Sequence, residues 1–292
     1  NAMVLALQNG EIDVCGNFLS ANSKSQLEGD SSNLITDVES LGYGQIGFSQ
    51  RNALLQDINM RTALAMCVDR EAMCAVGMGG AAIPMSTPVS PVFEELVNED
   101  IQQPGFDTEG AKQLLLDNGY TEGSDGIREK DGVRLDFVVG CSSSSVTDEA
   151  IQQVLMDSLK EVGINLTAEN YAASTWTAMM YDGDYQIGLG RFITSPGATR
   201  TKMYASDGAL NRGRWSSPEF DEASHQLDRE MDEETRKELV KKCLEAFDEG
   251  MPQVIIYSNA EVDVYTNALQ GLKLNPTNMT NFCQSASMWL QQ

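Results

Sequence analysis

Histidine is almost absent from this sequence: His225 is the only one in 292 residues. A zinc site built from two or three histidines of one chain is thereby excluded. Basic residues are scarce too, 20 against 43 acidic ones, for a formal charge of -23. A field of that sign repels phosphate backbones and anionic headgroups, so neither nucleic acid nor a polybasic membrane contact is expected. No apolar run approaches the ~18 residues of a membrane span. The longest candidates, Val254 to Tyr257 and Ala63 to Val68, are far shorter. The six cysteines contain no C-x-x-C pair, so redox shuttles and zinc ribbons lose their usual signature. There is also no P-loop and no G-x-S-x-G, and no pattern that calls for a cofactor.

What is present reads as an α/β chain. The first ~50 residues look polar and irregular, with short apolar pieces at Val4 to Leu7 and Ile12 to Val14. Helical periodicity begins at Asn59, with Met60, Ala63, Leu64 and Cys67 on one face. Asp69 and Asp107 are N-caps of two further helices, the second closed by Gly119. Leu135, Phe137 and Val139 alternate as a strand. A helix with Ile151, Val154, Leu155 and Leu159 on one face follows, and then Ile164, Leu166 and Ala168 alternate again. Strand, helix and strand of these lengths make a βαβ unit with parallel strands. A short helix around Trp176 leads to a strand at Tyr185, Ile187 and Leu189, and then to a loop from Arg191 to Arg200. Ser217-Pro218 and Asp232 start two more helices, and Val254 to Tyr257 suits a strand buried on both faces. Most of the cysteines fall in apolar helical patterns and read as small buried thiols.

Several motifs invite chemistry and are better explained by structure. Gly42 to Gly47 matches G-x-G-x-x-G, but no good strand precedes it and no helix follows. Ser142 to Ser145 reads as a polar connection between strand and helix. His225 lies next to a core face without a nucleophile signature nearby. The sequons at Asn165 and Asn278 carry no weight without a eukaryotic secretory context. The loop Arg191-Phe-Ile-Thr-Ser-Pro-Gly-Ala198 differs, because it follows a strand's end in an α/β sheet, where ligands bind. It combines a guanidinium, an aromatic face, two hydroxyls and a Pro-Gly turn, and Trp176 can add a second aromatic wall.

Five stretches, in order, resemble the family 5 extracellular solute-binding proteins of ABC importers, the binders of oligopeptides, dipeptides and nickel. Leu5-Ala-Leu-Gln-Asn-Gly-Glu-Ile-Asp-Val14 is similar to the family's L-x-x-G-E-I-D-V strand region. Met60 to Glu71 resembles V-R-Q-A-L-x-x-A-I-D-R-E, and Asp107 to Tyr120 resembles Y-D-P-E-K-A-K-x-L-L-x-x-A-G-Y. Arg214 to Asp221 is similar to Y-S-N-P-E-F-D, and Met251 to Tyr257 to A-P-x-I-P-L-Y. The resemblance implies a periplasmic-binding-protein-like lobe of the oligopeptide-binding type (class II), a mixed sheet flanked by helices. It implies solute capture by closure of two lobes, not catalysis, with a peptide or small solute and the transmembrane subunits of an ABC permease as partners. The place of action would be the extracellular face or the periplasm, with any membrane contact through a lipid anchor outside this chain. A ligand-sensing receptor of the same fold, and a serine hydrolase using His225, are the rival readings.

By the same resemblance the chain is the C-terminal part of such a protein. Residues 1–3 look like a remnant of cloning, 4–50 return from an N-terminal lobe, 51–250 form the ligand-binding lobe, and 251–292 lead back. Trp176, Arg191, Phe192, Ile193, Thr194 and Ser195 are the expected ligand-lining residues, on one wall of the cleft. Trp176 and Phe192 stand at pocket aromatics, and Ser195 where peptide binders carry an aspartate for the peptide's amino terminus. A hydroxyl does not replace that charge, so Arg191 is the expected anchor, for an anionic or neutral polar group of the ligand.

Overall fold

The computed structural model describes residues 2–15, 27, 33–79, 82–96, 98, 100–192, 201–271 and 288–291. Its main sheet contains β1 (Val14–Cys15), β2 (Asn33–Phe48), β3 (Ile83–Pro84), β7 (Asp136–Ser142), β8 (Asn165–Tyr171), β9 (Ile187–Phe192) and β10 (Gln253–Thr266). Two small sheets are set apart: β4 (Thr121–Glu122), β5 (Arg128–Lys130) and β6 (Val133–Arg134) in one, β11 (Leu269–Gln270) and β12 (Trp289–Leu290) in the other. Strand order in the main sheet is β1-β10-β2-β9-β7-β8, with β3 beside β10. β7 runs parallel to both β8 and β9, while β2 is antiparallel to β9 and β10. The sheet is therefore mixed, and the parallel unit is the one that the periodicity predicts.

The helix Val146–Glu161 links β7 to β8. The six side chains whose burial the pattern requires, Leu135, Phe137, Val139, Ile151, Leu155 and Leu159, are all in the core. Each such side chain stabilises the fold by about 1.5–3 kcal/mol relative to exposure. The alternation expected at β8 holds at Ile164 and Leu166 and fails at Ala168, which is exposed, because β8 is an edge strand. The expected caps are made: Asp69, Asp107, Ser217 and Asp232 accept N–H bonds from Ala72, Gly110, Phe220 and Thr235. Caps of this type are worth about 1 kcal/mol each.

Two expectations need correction. The described part of the first ~50 residues is largely regular: residues 2–8 form a helix and residues 33–48 form the longest strand of the sheet. The stretch from Leu5 to Gln8 is therefore helical, and only Val14 of that motif is strand. The glycines at 44 and 47 conceal the strand's alternation, because the bulk on their positions is supplied by Tyr257 and Tyr185. A Cβ at Gly44 would lie 2.2 Å from the Tyr257 ring. Gly140 and Gly188 are covered in the same way by Trp176 and by Met180 with Tyr185. The G-x-G-x-x-G match thus lies inside β2, as close-packed sheet and not as a nucleotide loop.

Each face of the sheet carries its own core. On one side Ile46, Phe48, Phe137, Val139, Leu189, Val254 and Ile256 pack with the helices of residues 58–66, 70–78, 108–117 and 146–161. On the other, Tyr43 and Ile255 pack with Tyr204, Trp215, Phe220 and Phe247. A third, small cluster of Val4, Leu7, Cys15, Leu27 and Val264 sits where β1 joins the far end of β10. β2 and β10 run between these regions as an antiparallel ribbon, with register shifts between Ile255 and Tyr257 and between Ser258 and Ala260.

Arginine in this acidic chain is largely committed to backbone. Buried Arg61 donates to the carbonyls of Leu55, Gly250 and Met251, which closes the C-terminus of the helix Glu233–Gly250. Met251, in the left-handed region at φ 39°, completes that cap. Arg70 donates to the carbonyls of Ile255 and Pro104. Burial lowers both guanidinium pKa values to about 10, so both stay charged at neutral pH. Of the cysteines, Cys15, Cys67, Cys74, Cys141 and Cys243 are buried, and Cys283 lies outside the described residues. Burial pushes Cys67, Cys141 and Cys243 up to about 12 and Cys74 up to about 11.

Two measurements check this packing. Gly44→Ala is expected to lower stability by about 3 kcal/mol through overpacking, read as a shifted urea midpoint. Gly105→Ala, with nothing within 4 Å of the new methyl, should stay within about 0.5 kcal/mol; equal effects of the two would refute the close-approach account. The second concerns Asp248, whose Oδ1 is buried without a hydrogen-bond partner and whose pKa burial raises to about 6. A raised carboxyl favours the protonated folded state, so its contribution is full below pH ~4 and lost as pH rises through ~6. Asp248→Asn should flatten the pH dependence of stability in that window. It should also stabilise the protein at pH 7, by roughly 1 kcal/mol after allowing for solvent screening of this half-buried group.

Candidate functional site

The parallel strands β7, β8 and β9 end at Ser142, Tyr171 and Phe192, and this carboxyl edge is where α/β sheets bind ligands. Ser145 caps the following helix by accepting the Asp148 N–H, and Ser142 and Ser144 share a hydrogen bond at 2.8 Å. The serine tract thus acts as the polar βα connection that the sequence indicates. Trp176, in the helix Ala173–Asp182, lies over Gly140 and is only 6% exposed. Its Nε1–H donates to the Leu189 carbonyl at 3.2 Å. Its outer face is stacked on Tyr171, with centroids 5.8 Å apart and planes 4° from parallel. Tyr171, which the sequence reading missed, is therefore the more exposed partner of an aromatic pair at this edge. An aromatic residue at the last position of a parallel strand was the signal for it.

Arg191 and Phe192 belong to β9 and not to the loop expected from Arg191 onward. Consecutive strand residues point to opposite faces, so the two are divided. Arg191 pairs with Gly44 and shares its face with Tyr257 and Asp148. Burial raises the Asp148 pKa, while the hydrogen bond with Ser145 and the charge of Arg191 lower it. Tyr257 is fully buried, its hydroxyl lacks a partner, and burial pushes its pKa far up. Phe192 lies on the other face with Trp176, and meets Tyr43 edge-on at 5.8 Å. The expectation of one wall holding Trp176, Arg191 and Phe192 is corrected by this pleat, which sends Arg191 to the face opposite Phe192. Ile193, Thr194 and Ser195 lie outside the described residues.

Phe192 has a neighbour that the sequence reading did not single out. The Arg212 guanidinium carbon lies 5.3 Å from the Phe192 ring and 4.5 Å from the Tyr181 ring, a cation held between two aromatic faces. Buried Asn211 fixes this turn. Its amide donates to the carbonyls of Trp215 at 2.6 Å and Ala205 at 3.1 Å, and its oxygen accepts the Trp215 N–H. Two arginines in Asn211-Arg-Gly-Arg214 of so acidic a chain were the available signal.

His225 is half exposed, 47% for its side chain, and is hydrogen-bonded to Asp207 Oδ1 at 3.1 Å. No serine or cysteine is hydrogen-bonded to it among the described residues, so the geometry lends the hydrolase reading no support. The described residues contain no group of three His, Cys, Asp or Glu side chains arranged to hold a metal ion, and no helix long and apolar enough to cross a membrane.

Comparison with known proteins supplies the context. The "Oligopeptide-binding protein AppA" of Bacillus subtilis is 29% identical over 183 residues, 62% of this chain and 33% of that protein. The "Oligopeptide-binding protein OppA" of the same organism is 25% identical over 292 residues, 97% of this chain and 52% of that protein. The chain thus spans from a third to about half the length of these relatives. Among solved structures, AppA of Bacillus subtilis in complex with a nonapeptide superposes with a TM-score of 0.86 at 22% identity, covering 100% of this chain and 58% of the other. NikZ from Campylobacter jejuni in complex with Ni(L-His) gives 0.82 at 20% identity, covering 98% and 59%. These structural likenesses establish the class II periplasmic-binding fold. Residues 1–213 match the family described as "Bacterial extracellular solute-binding proteins, family 5 Middle", and the chain belongs to that family.

Proposed function

We propose that the protein captures a peptide or related small solute between two lobes, outside the cytoplasm, and delivers it to the transmembrane subunits of an ABC importer. The observation that carries this reading is family membership across residues 1–213. The sheet described above supplies one lobe, and its carboxyl edge is one side of the cleft. Trp176, Arg191, Phe192, Ile193, Thr194 and Ser195 remain the candidate ligand-lining residues, with Arg191 on the face opposite Phe192. Tyr171 extends the aromatic surface that Trp176 backs. Flat rings pack on side chains of varied shape, which suits capture of many peptides better than of one.

The β2–β10 ribbon supports the two-lobe reading. It leaves the large core with its own register shifts and reaches a separate small cluster. Such bulges bend and twist a two-stranded ribbon, so they are suitable points for lobe rotation. On this reading residues 33–48 and 253–266 connect the lobes as well as completing the sheet. The long AppA and OppA relatives supply the precedent in their names for oligopeptide ligands.

Calorimetric titration of the full-length protein with short peptides is expected to give saturable binding. The 292-residue chain alone should bind the same peptides at least about 100-fold more weakly, because one lobe leaves the ligand half solvated. Equal affinities for the two would overturn capture by closure.

A further inference from the structure

The hydroxyl of Tyr257 is buried without a hydrogen-bond partner, on a residue only 1% exposed. Its direction follows from the sheet. Tyr257 on β10, Gly44 on β2 and Arg191 on β9 form one row across three strands. A Cβ built on Gly44 would fall against Cδ1, Cε1 and Cζ of the Tyr257 ring, with Cζ nearest. The ring therefore lies along the row with its tip over β2, and the hydroxyl reaches past Gly44 toward β9. Of the charges acting on it, Asp148, in the first turn of the helix Val146–Glu161, is the strongest, followed by Arg191 and then Cys74. Asp148 is itself 7% exposed. The hydroxyl thus lies within electrostatic reach of a buried carboxyl and a guanidinium, and is bonded to neither.

The same row marks the point where the ribbon leaves the sheet. β9 ends one residue later, at Phe192 opposite Tyr43, while β2 and β10 continue without it. Register shifts stand on both sides, between Ile255 and Tyr257 and between Ser258 and Ala260. The Tyr257 ring is held by the sheet, yet its backbone belongs to the strand that departs. Asp148 is carried by a helix of the sheet's own core. Rotation of the ribbon at these shifts therefore changes the separation of the Tyr257 hydroxyl from Asp148. Native interiors pair nearly all buried polar atoms, so a lone hydroxyl beside a carboxyl points to a bond made in a second arrangement. A bond present in only one of two arrangements biases the equilibrium toward that one.

Building on the two-lobe reading above, we propose that Tyr257 is a latch for lobe closure: in the closed arrangement its O–H donates to the Asp148 carboxylate. In the arrangement described here that bond is not made. Both are positioning residues, buried in the lobe, and they act through the ribbon. The charge of Arg191 favours the ionised, accepting form of Asp148.

The test uses the full-length protein and a pool of random pentapeptides. Captured peptides are identified by mass spectrometry, and individual binders are titrated by calorimetry. Tyr257→Phe keeps the ring in its bed on Gly44 and removes only the hydroxyl. It should raise the urea midpoint of the free protein, because a buried group without a partner is lost, and yet weaken each binder about tenfold. A residue that served packing alone would move stability and leave affinity in place. Asp148→Leu should weaken binding by a similar factor, and the double variant by no more than either single one, because the two side chains share one bond. Unchanged affinities in Tyr257→Phe, a lowered urea midpoint, or losses that add in the double variant would each sink the latch while leaving solute capture intact. If the native protein captures no pentapeptide, peptide capture itself falls, and the latch with it.

Discussion

The structure depends on rings lying flat on a sheet from which side chains have been removed. Gly44, Gly140 and Gly188 stand in three central strands, and Tyr257, Trp176 and Tyr185 occupy the space that their Cβ atoms would take. This contact fixes strand register, because a slip of one residue would set a side chain against each ring. It also ties distant parts of the chain together: Tyr257 from the C-terminal ribbon lies on β2, and Trp176 from the βα layer lies on β7. A sheet lined with larger residues would hold its helices farther out and could not place Trp176 Nε1 within reach of the Leu189 carbonyl.

How much of this was legible in the sequence follows from the same contacts. The βαβ unit could be read because each of its elements carries its own apolar period, and the caps because a single Asp or Ser side chain makes them. β2 could not be read, since the bulk over Gly44 and Gly47 comes from Tyr257 and Tyr185, more than a hundred positions away. The sequence points to the βα edge from the position of the segment at a strand's end. The division of Arg191 from Phe192 was missed because the strand was ended two residues early. Once Phe192 is counted as strand, the pleat alone sends the two side chains apart. Arg212 was missed for another reason. Its importance arises from Tyr181 and Phe192, which come from two other elements, and no local spacing announces such a clamp.

Charge is distributed in keeping with this architecture. With 43 acids and 20 bases, most carboxylates have no cation available and remain solvated on helix surfaces. The buried arginines do not reduce that imbalance, since Arg61 and Arg70 donate to main-chain carbonyls. They serve as rigid cross-ties between segments far apart in sequence. Asp148 and Asp248 are exceptions on the acidic side, as carboxyls drawn into the protein with pKa values raised by burial. The chain therefore places its few cations where geometry needs a planar donor and leaves bulk electrostatics strongly negative.

The buried thiols have a practical consequence. With pKa values near 12, Cys67, Cys141 and Cys243 hold a thiolate fraction roughly a thousandfold below that of an ordinary cysteine, and they are sterically covered as well. A cysteine installed at a surface position such as Met231, 90% exposed, would outcompete them for a maleimide dye or spin label. With Cys283, which lies outside the described residues, replaced, site-selective labelling is therefore open to this chain without first stripping out Cys15, Cys67, Cys74, Cys141 and Cys243, and the core packing is left as it stands.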